Sequence, residues 1–148
     1  MAFVQDEKIQ QTATAYALDA IDFAQDYFQI TLDWSDESVR YVESILDRFH
    51  RDLPTANPSE QTIYQFAKMF GSYVGEVLRR NHAAQWGLVT AGGETFPGMY
   101  SKHMDLEFWP WGKVHCRLRD GPEHDIWFYF HILAADDEAE PGDPEGAS

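Results

Sequence analysis

The hydrophobic period of this chain changes once, just after Asn81. Before that point apolar residues recur every three to four positions, the spacing of one helix face. After it they alternate every second position, the spacing of a strand face. Helical segments first and strand-like segments second predict an α+β fold: three N-terminal helices packed on a C-terminal antiparallel β-meander of about four strands.

The first helix is expected over 5–28, where Ile9, Ala13, Tyr16, Ala20, Phe23 and Tyr27 line one face and Asp19, Asp22 and Asp26 form an acidic outer edge. A second begins near Ser35, which suits an N-cap, with Asp36 and Glu37 in the first turn. Trp34 is expected to close on Val39 as a hydrophobic staple, and Pro54 to end the helix. The third has Asn57 as cap, Pro58 at its first position and Glu60 completing a capping box. Its core face is Ile63, Phe66, Phe70, Val74 and Val77. Gly71 and Gly75 share one flank, and a glycine costs about 1 kcal/mol in a helix interior relative to alanine. Two at this spacing predict another element lying close against the backbone. Glu76 and Arg80 form an i,i+4 ion pair, with Arg79 pointing furthest from the core.

Beyond Asn81 a short strand is expected over 86–90, a turn at Ala91-Gly92-Gly93, and an irregular segment over 95–100 broken by Pro97-Gly98. Clean alternations then occupy 103–109 and 113–119, joined by Pro110-Trp111-Gly112 read as a three-residue hairpin loop. A last strand covers 125–133, apolar on both faces. This register builds one constellation on the outer sheet face, in rows Asp105–Arg117–Trp127, Glu107–His115–Tyr129 and Trp109–Lys113–His131. Acids face bases across strands, and Arg117 stacks on Trp127. Such a face is either a solvated surface or a binding patch of paired charges and aromatics. Cys116 points inward, to the core.

The chain is 148 residues with a net charge of −14, enough for one domain over 1–134. Residues 136–148 hold six acids and no base, so 135–148 is expected to be a disordered acidic tail. The first 50 residues hold ten acids against three bases, whereas 51–100 balance. An acidic field repels nucleic acid and anionic membranes and favours basic protein surfaces. Residues 1–8 lack the features of a signal peptide, and no apolar run reaches membrane-spanning length. The single cysteine fits a reducing, cytoplasmic setting. The six histidines show no zinc-site spacing, and Gly92-Gly93 opens no helix, so neither metal nor cofactor is expected.

The run Gly71-Ser72-Tyr73-Val74-Gly75-Glu76-Val77-Leu78-Arg79-Arg80-Asn81, followed by Trp86, resembles the hallmark of a group of small bacterial proteins classed only as a domain of unknown function. Leu32-Asp33-Trp34-Ser35 through Val39, and Arg119-Asp120-Gly121-Pro122-Glu123-His124-Asp125, are similar to that group's flanking motifs. The resemblance spans 23–133 and implies a bacterial α+β domain, with no activity attached. It marks Glu76, Arg79 and Arg80 as a candidate surface.

Two functional expectations follow. The first is a non-enzymatic, acidic protein-binding module, in its most concrete form an immunity-type protein neutralising a basic toxin. The second is an enzyme or small-ligand binder using Glu107, His115 and Tyr129 or the Glu76/Arg80 flank, which requires a concave site there. A structural or assembly subunit is a third class.

Overall fold

The computed structural model describes residues 2–139, with side chains through Ala134. Its elements are β1 (Ala2–Gln5), α1 (Glu7–Phe28), α2 (Ser38–Ala56), α3 (Glu60–Asn81), β2 (Ala84–Ala91), β3 (Glu94–Ser101), β4 (Leu106–Phe108), α4 (Pro110–Asp120), a 3-10 turn (Pro122–His124) and α5 (Ile126–Ala139). The α+β class and a four-stranded antiparallel sheet are as expected. The order is not: a strand precedes the three helices, and two further helices follow the sheet.

Local chemistry explains each helix. Asp6 caps α1 by accepting from the Ile9 N–H at 3.0 Å. The face α1 buries is a row of alanines, Ala13, Ala17, Ala20 and Ala24, so α1 lies close on α3. Ser35 does accept the Ser38 N–H, and Trp34 lies just before that turn. Its φ is 69°, and its ring stacks on Tyr73 at 5.1 Å. Pro54 does not end α2, which continues to Ala56. Asn57 closes it in a left-handed conformation, its N–H on the Leu53 carbonyl. Asn57 is therefore not the cap of α3. Ser59 is, through the Thr62 N–H.

The sheet order is β1-β2-β3-β4. Gly92 and Gly93 both have positive φ, 61° and 81°, which is what a two-residue hairpin turn needs. The register then runs from Ala91↔Glu94 to Ala84↔Ser101, so 94–101 is a regular strand and not irregular. Pro97 is tolerated because β4 pairs only with Met99, Tyr100 and Ser101. At Pro97, β3 is an edge. Trp86, Met99 and Phe108 lie on the inner face and are buried against α3.

The strands expected over 113–119 and 125–133 are helices, and Pro110-Trp111-Gly112 is no hairpin loop. Pro110 sits at the start of α4, where its missing N–H costs nothing. Val114 and Leu118 are buried, a spacing compatible with either a strand or a helix. Arg117, also buried, decides between them: a strand would put it on the face opposite Leu118, and a helix puts both on the same side. In α5 the buried residues Ile126, Phe130, Leu133 and Ala134 follow helical spacing, hidden in the sequence by apolar neighbours. Phe128 is 67% exposed, so the segment is not covered on both faces. The helix runs through Ala139, past the boundary expected at 134, and the remaining tail, 140–148, lies outside the described residues.

Both glycines of α3 carry a close approach. A Cβ on Gly71 would stand 2.8 Å from the Pro110 carbonyl oxygen, and one on Gly75 would stand 2.3 Å from Cζ2 of Trp86. Gly75→Ala is expected to destabilise the fold by about 1–3 kcal/mol, as overpacking does, although alanine gains about 1 kcal/mol of helix propensity. Urea denaturation measures it. A variant as stable as the parent would show that Trp86 does not pack there.

Candidate functional site: the Glu76 centre and its cleft

Glu76 is fully buried, and every neighbour of its carboxylate is a donor or a cation. Arg79 donates through Nε to Oε2 at 2.7 Å and through Nη2 to Oε1 at 2.9 Å. Trp86 Nε1 donates to Oε2 at 2.9 Å and Thr14 Oγ1 to Oε1 at 3.1 Å. Arg80 Nε stands 3.5 Å from Oε1, the expected i,i+4 pair. Burial pushes the carboxyl pKa up. The hydrogen bonds and charge of Arg79, with the Trp86 and Thr14 donors, outweigh it and hold the group below its ordinary value. The carboxylate thus ties α3 to α1 and β2.

The neighbouring motif residues extend the same junction. The Arg80 guanidinium lies over the Trp34 ring, 3.7 Å from its centroid. The Tyr73 hydroxyl accepts the Trp34 N–H at 2.9 Å and bonds Ser38 Oγ at 2.6 Å. Asn81 Nδ2 donates to the Trp34 carbonyl and to Asp36, and His82 Nε2 also meets Asp36.

Arg79 is not the outermost residue of the flank. Its side chain is 27% exposed, and it lines a cleft of about 340 Å³ with Gln5, Gln10, His82, Gln85, Tyr100 and Lys102. Gln85 and Tyr100 are a cross-strand pair on the outer sheet face. Two of the guanidinium nitrogens are held by Glu76, and Nη1 makes no hydrogen bond among the described residues. The Tyr100 hydroxyl donates to Asp105 Oδ1 at 2.7 Å, and that bond raises its pKa. Among the described residues no carboxylate lines the cleft.

The other expected site residues are dispersed, because the strand register that joined them does not exist. Asp105 is exposed, with φ 50°. His115 lies edge-on to Tyr64 of α3, so the Glu107–His115 pair is not formed. Arg117 is buried and bonds Glu43 and Asp47 of α2, each at 2.7 Å. Trp127 takes its cation from Arg40, at 5.1 Å, and not from Arg117. Only Glu107 and Tyr129 come together, in an open groove with Trp109, Lys113 and Cys116. Burial raises the Tyr129 hydroxyl pKa, and neither that hydroxyl nor Trp109 Nε1 has a hydrogen-bond partner among the described residues. Cys116 is half-buried beside this groove, and not in the core. Glu76 is saturated by its donors, so it does not hold a metal. A histidine–cysteine–carboxylate cluster among the described residues lies instead at the end of α4 and in the 3-10 turn that follows it.

Sequence reasoning missed Thr14 and most of the cleft. A signal was available, since a Gly92-Gly93 hairpin turn places Gln85 opposite Tyr100. No spacing rule brings Gln5, Gln10 or Lys102 to them.

Glu76→Gln is expected to destabilise the domain by about 3 kcal/mol, the lower end of the range for breaking a buried pair, since both arginines regain water. The folded carboxyl pKa lies below the unfolded one. The stabilisation is therefore complete above about pH 4.3 and is lost as pH falls through the folded value. Denaturant midpoints of parent and variant should converge on acidification, and a difference independent of pH would refute the ionised assignment. Comparison of the chain with protein-family models, with curated proteins and with solved structures gave no match.

Proposed function

We propose that this domain is a non-enzymatic binding protein that holds a small anionic ligand, a carboxylate or phosphate, in the cleft beside Glu76. The observation that carries this reading is the state of Arg79. Its guanidinium is oriented by a buried carboxylate, leaves Nη1 without a hydrogen bond among the described residues, and opens on a polar cleft that also holds Lys102. A pre-oriented guanidinium loses little entropy on meeting an anion. In a chain of net charge −14, a cleft whose described lining holds cations and amides and no carboxylate is a local exception. Among the described residues the lining is rich in hydrogen-bond donors and has no serine, threonine or cysteine, which favours recognition over chemistry.

A second reading, docking to a basic protein such as a toxin, has its own support. Asp19, Asp22 and Asp26 are exposed along α1, flanked by Leu18 at 50% and Tyr27 at 69% exposure. Acidic groups around exposed apolar ones steer and then anchor cationic partners. No described helix is long and apolar enough to cross a membrane.

Titration with inorganic phosphate and with succinate, followed by amide and Arg Nε NMR shifts, separates the two. Saturable shifts at Arg79, Gln85, Tyr100 and Lys102 are expected. Lys102→Ala should weaken binding roughly tenfold or more, the equivalent of about one charge-assisted hydrogen bond, and Asp19→Asn should not. Shifts that are unsaturable or scattered over the surface would remove the cleft reading and leave α1 as the surface to test.

A further inference from the structure

We propose that Cys116, Asp120 and His124 form a zinc-binding site on the rim of α4. Cys116 and Asp120 are four residues apart and share one side of the helix. The helix ends at Asp120, and Gly121, with φ 108°, turns the chain into the 3-10 turn Pro122–His124. The His124 N–H bonds the Gly121 carbonyl at 3.0 Å, and this fold-back carries the imidazole to the other two groups. One sulfur, one nitrogen and one carboxylate oxygen lie within 4.8 Å of one another. Ligands about 2.0–2.3 Å from a tetrahedral zinc stand about 3.3–3.8 Å apart, so closing the site takes side-chain rotation and no backbone rearrangement.

The donor set selects the metal. A thiolate with an imidazole and a carboxylate suits zinc and not the hard, oxygen-seeking magnesium or calcium. Three protein ligands leave a fourth position open, on the side where Asp120 is exposed. The neighbouring cations are largely committed: Arg117 to Glu43 and Asp47, and Arg119 to Glu60 at 2.7 Å.

Lys113 is the exception, with Nζ 3.4 Å from His124 Nδ1. It donates to that nitrogen, so the ring proton rests on Nε2, which faces Asp120 Oδ2 at 3.7 Å. Zinc arriving at Nε2 moves this proton to Nδ1, releases the Cys116 thiol proton to solvent, and displaces the ammonium. Lys113 already lies 5.4 Å from the Tyr129 ring centroid, where a cation can rest. Lys113 therefore competes with the metal.

Cobalt(II) titration of the full chain tests the site. A thiolate-to-cobalt charge-transfer band with tetrahedral d–d bands is expected, reversed by zinc and absent in Cys116→Ser. Zinc affinity, measured by competition with a chromophoric chelator, should fall about tenfold or more in His124→Ala and in Asp120→Asn, and should rise in Lys113→Met. Circular dichroism of each metal-free variant controls for folding, and the three ligands, being partly exposed, tolerate replacement. Absence of the thiolate band, or a zinc affinity unchanged in both His124→Ala and Asp120→Asn, would overturn the assignment.

Discussion

One ionised, fully buried carboxylate holds the junction of three elements. Desolvating Glu76 is costly on its own, and the fold meets that cost with four hydrogen bonds and two guanidinium groups. The geometry is specific because the donors come from different places: Thr14 from α1, Trp86 from β2, and the arginines from α3 itself. Any displacement of the sheet from the helices leaves a buried charge short of a partner. This makes Glu76 a registration device for the fold.

The recognisable α3 motif is structural along most of its length. Gly71 and Gly75 admit Pro110 and Trp86 against the helix backbone. Tyr73 and Arg80 both pack on the Trp34 ring, and Asn81 holds its carbonyl. Arg79 alone does both jobs, anchored at one end and facing a cleft at the other. A second charged cluster repeats the principle between α2 and α4, where buried Arg117 is clamped by Glu43 and Asp47 and Glu43 also accepts the first N–H of α5.

The helical half was legible in the sequence because its apolar stripes and polar faces separate cleanly. The close approach at the two glycines was legible for the same reason. The C-terminal third was not. Val114, Cys116 and Leu118 alternate as a strand face does, yet two of them also fit a helix face, and the complementary charges on either side made a coherent but wrong register. Arg117 was the ambiguous residue: it looks like an outward charge and is a core residue, because its partners lie about 70 positions earlier, on α2. In α5 the run Trp127-Phe128-Tyr129-Phe130 erases periodicity altogether. The cleft was hidden for a different reason. Its walls come from β1, α1, α3, the start of β2 and the end of β3, and long-range assembly of that kind leaves no local spacing to find.

The pairing of β1 with β2 has a consequence for the order of events during synthesis. Val4 faces Leu88 and Gln5 faces Gly87, so the first strand made finds its partner only after three helices have been translated. Until then it is an unpaired edge with Phe3 and Val4 exposed. The long loop between the two strands makes their closure entropically expensive and slow. Helices α1 to α3 can associate earlier through local contacts, leaving the sheet to zip onto a preformed helical layer. Within this domain β1 therefore stays an open edge until β2 has been made, and its pairing with β2 is the event that covers it.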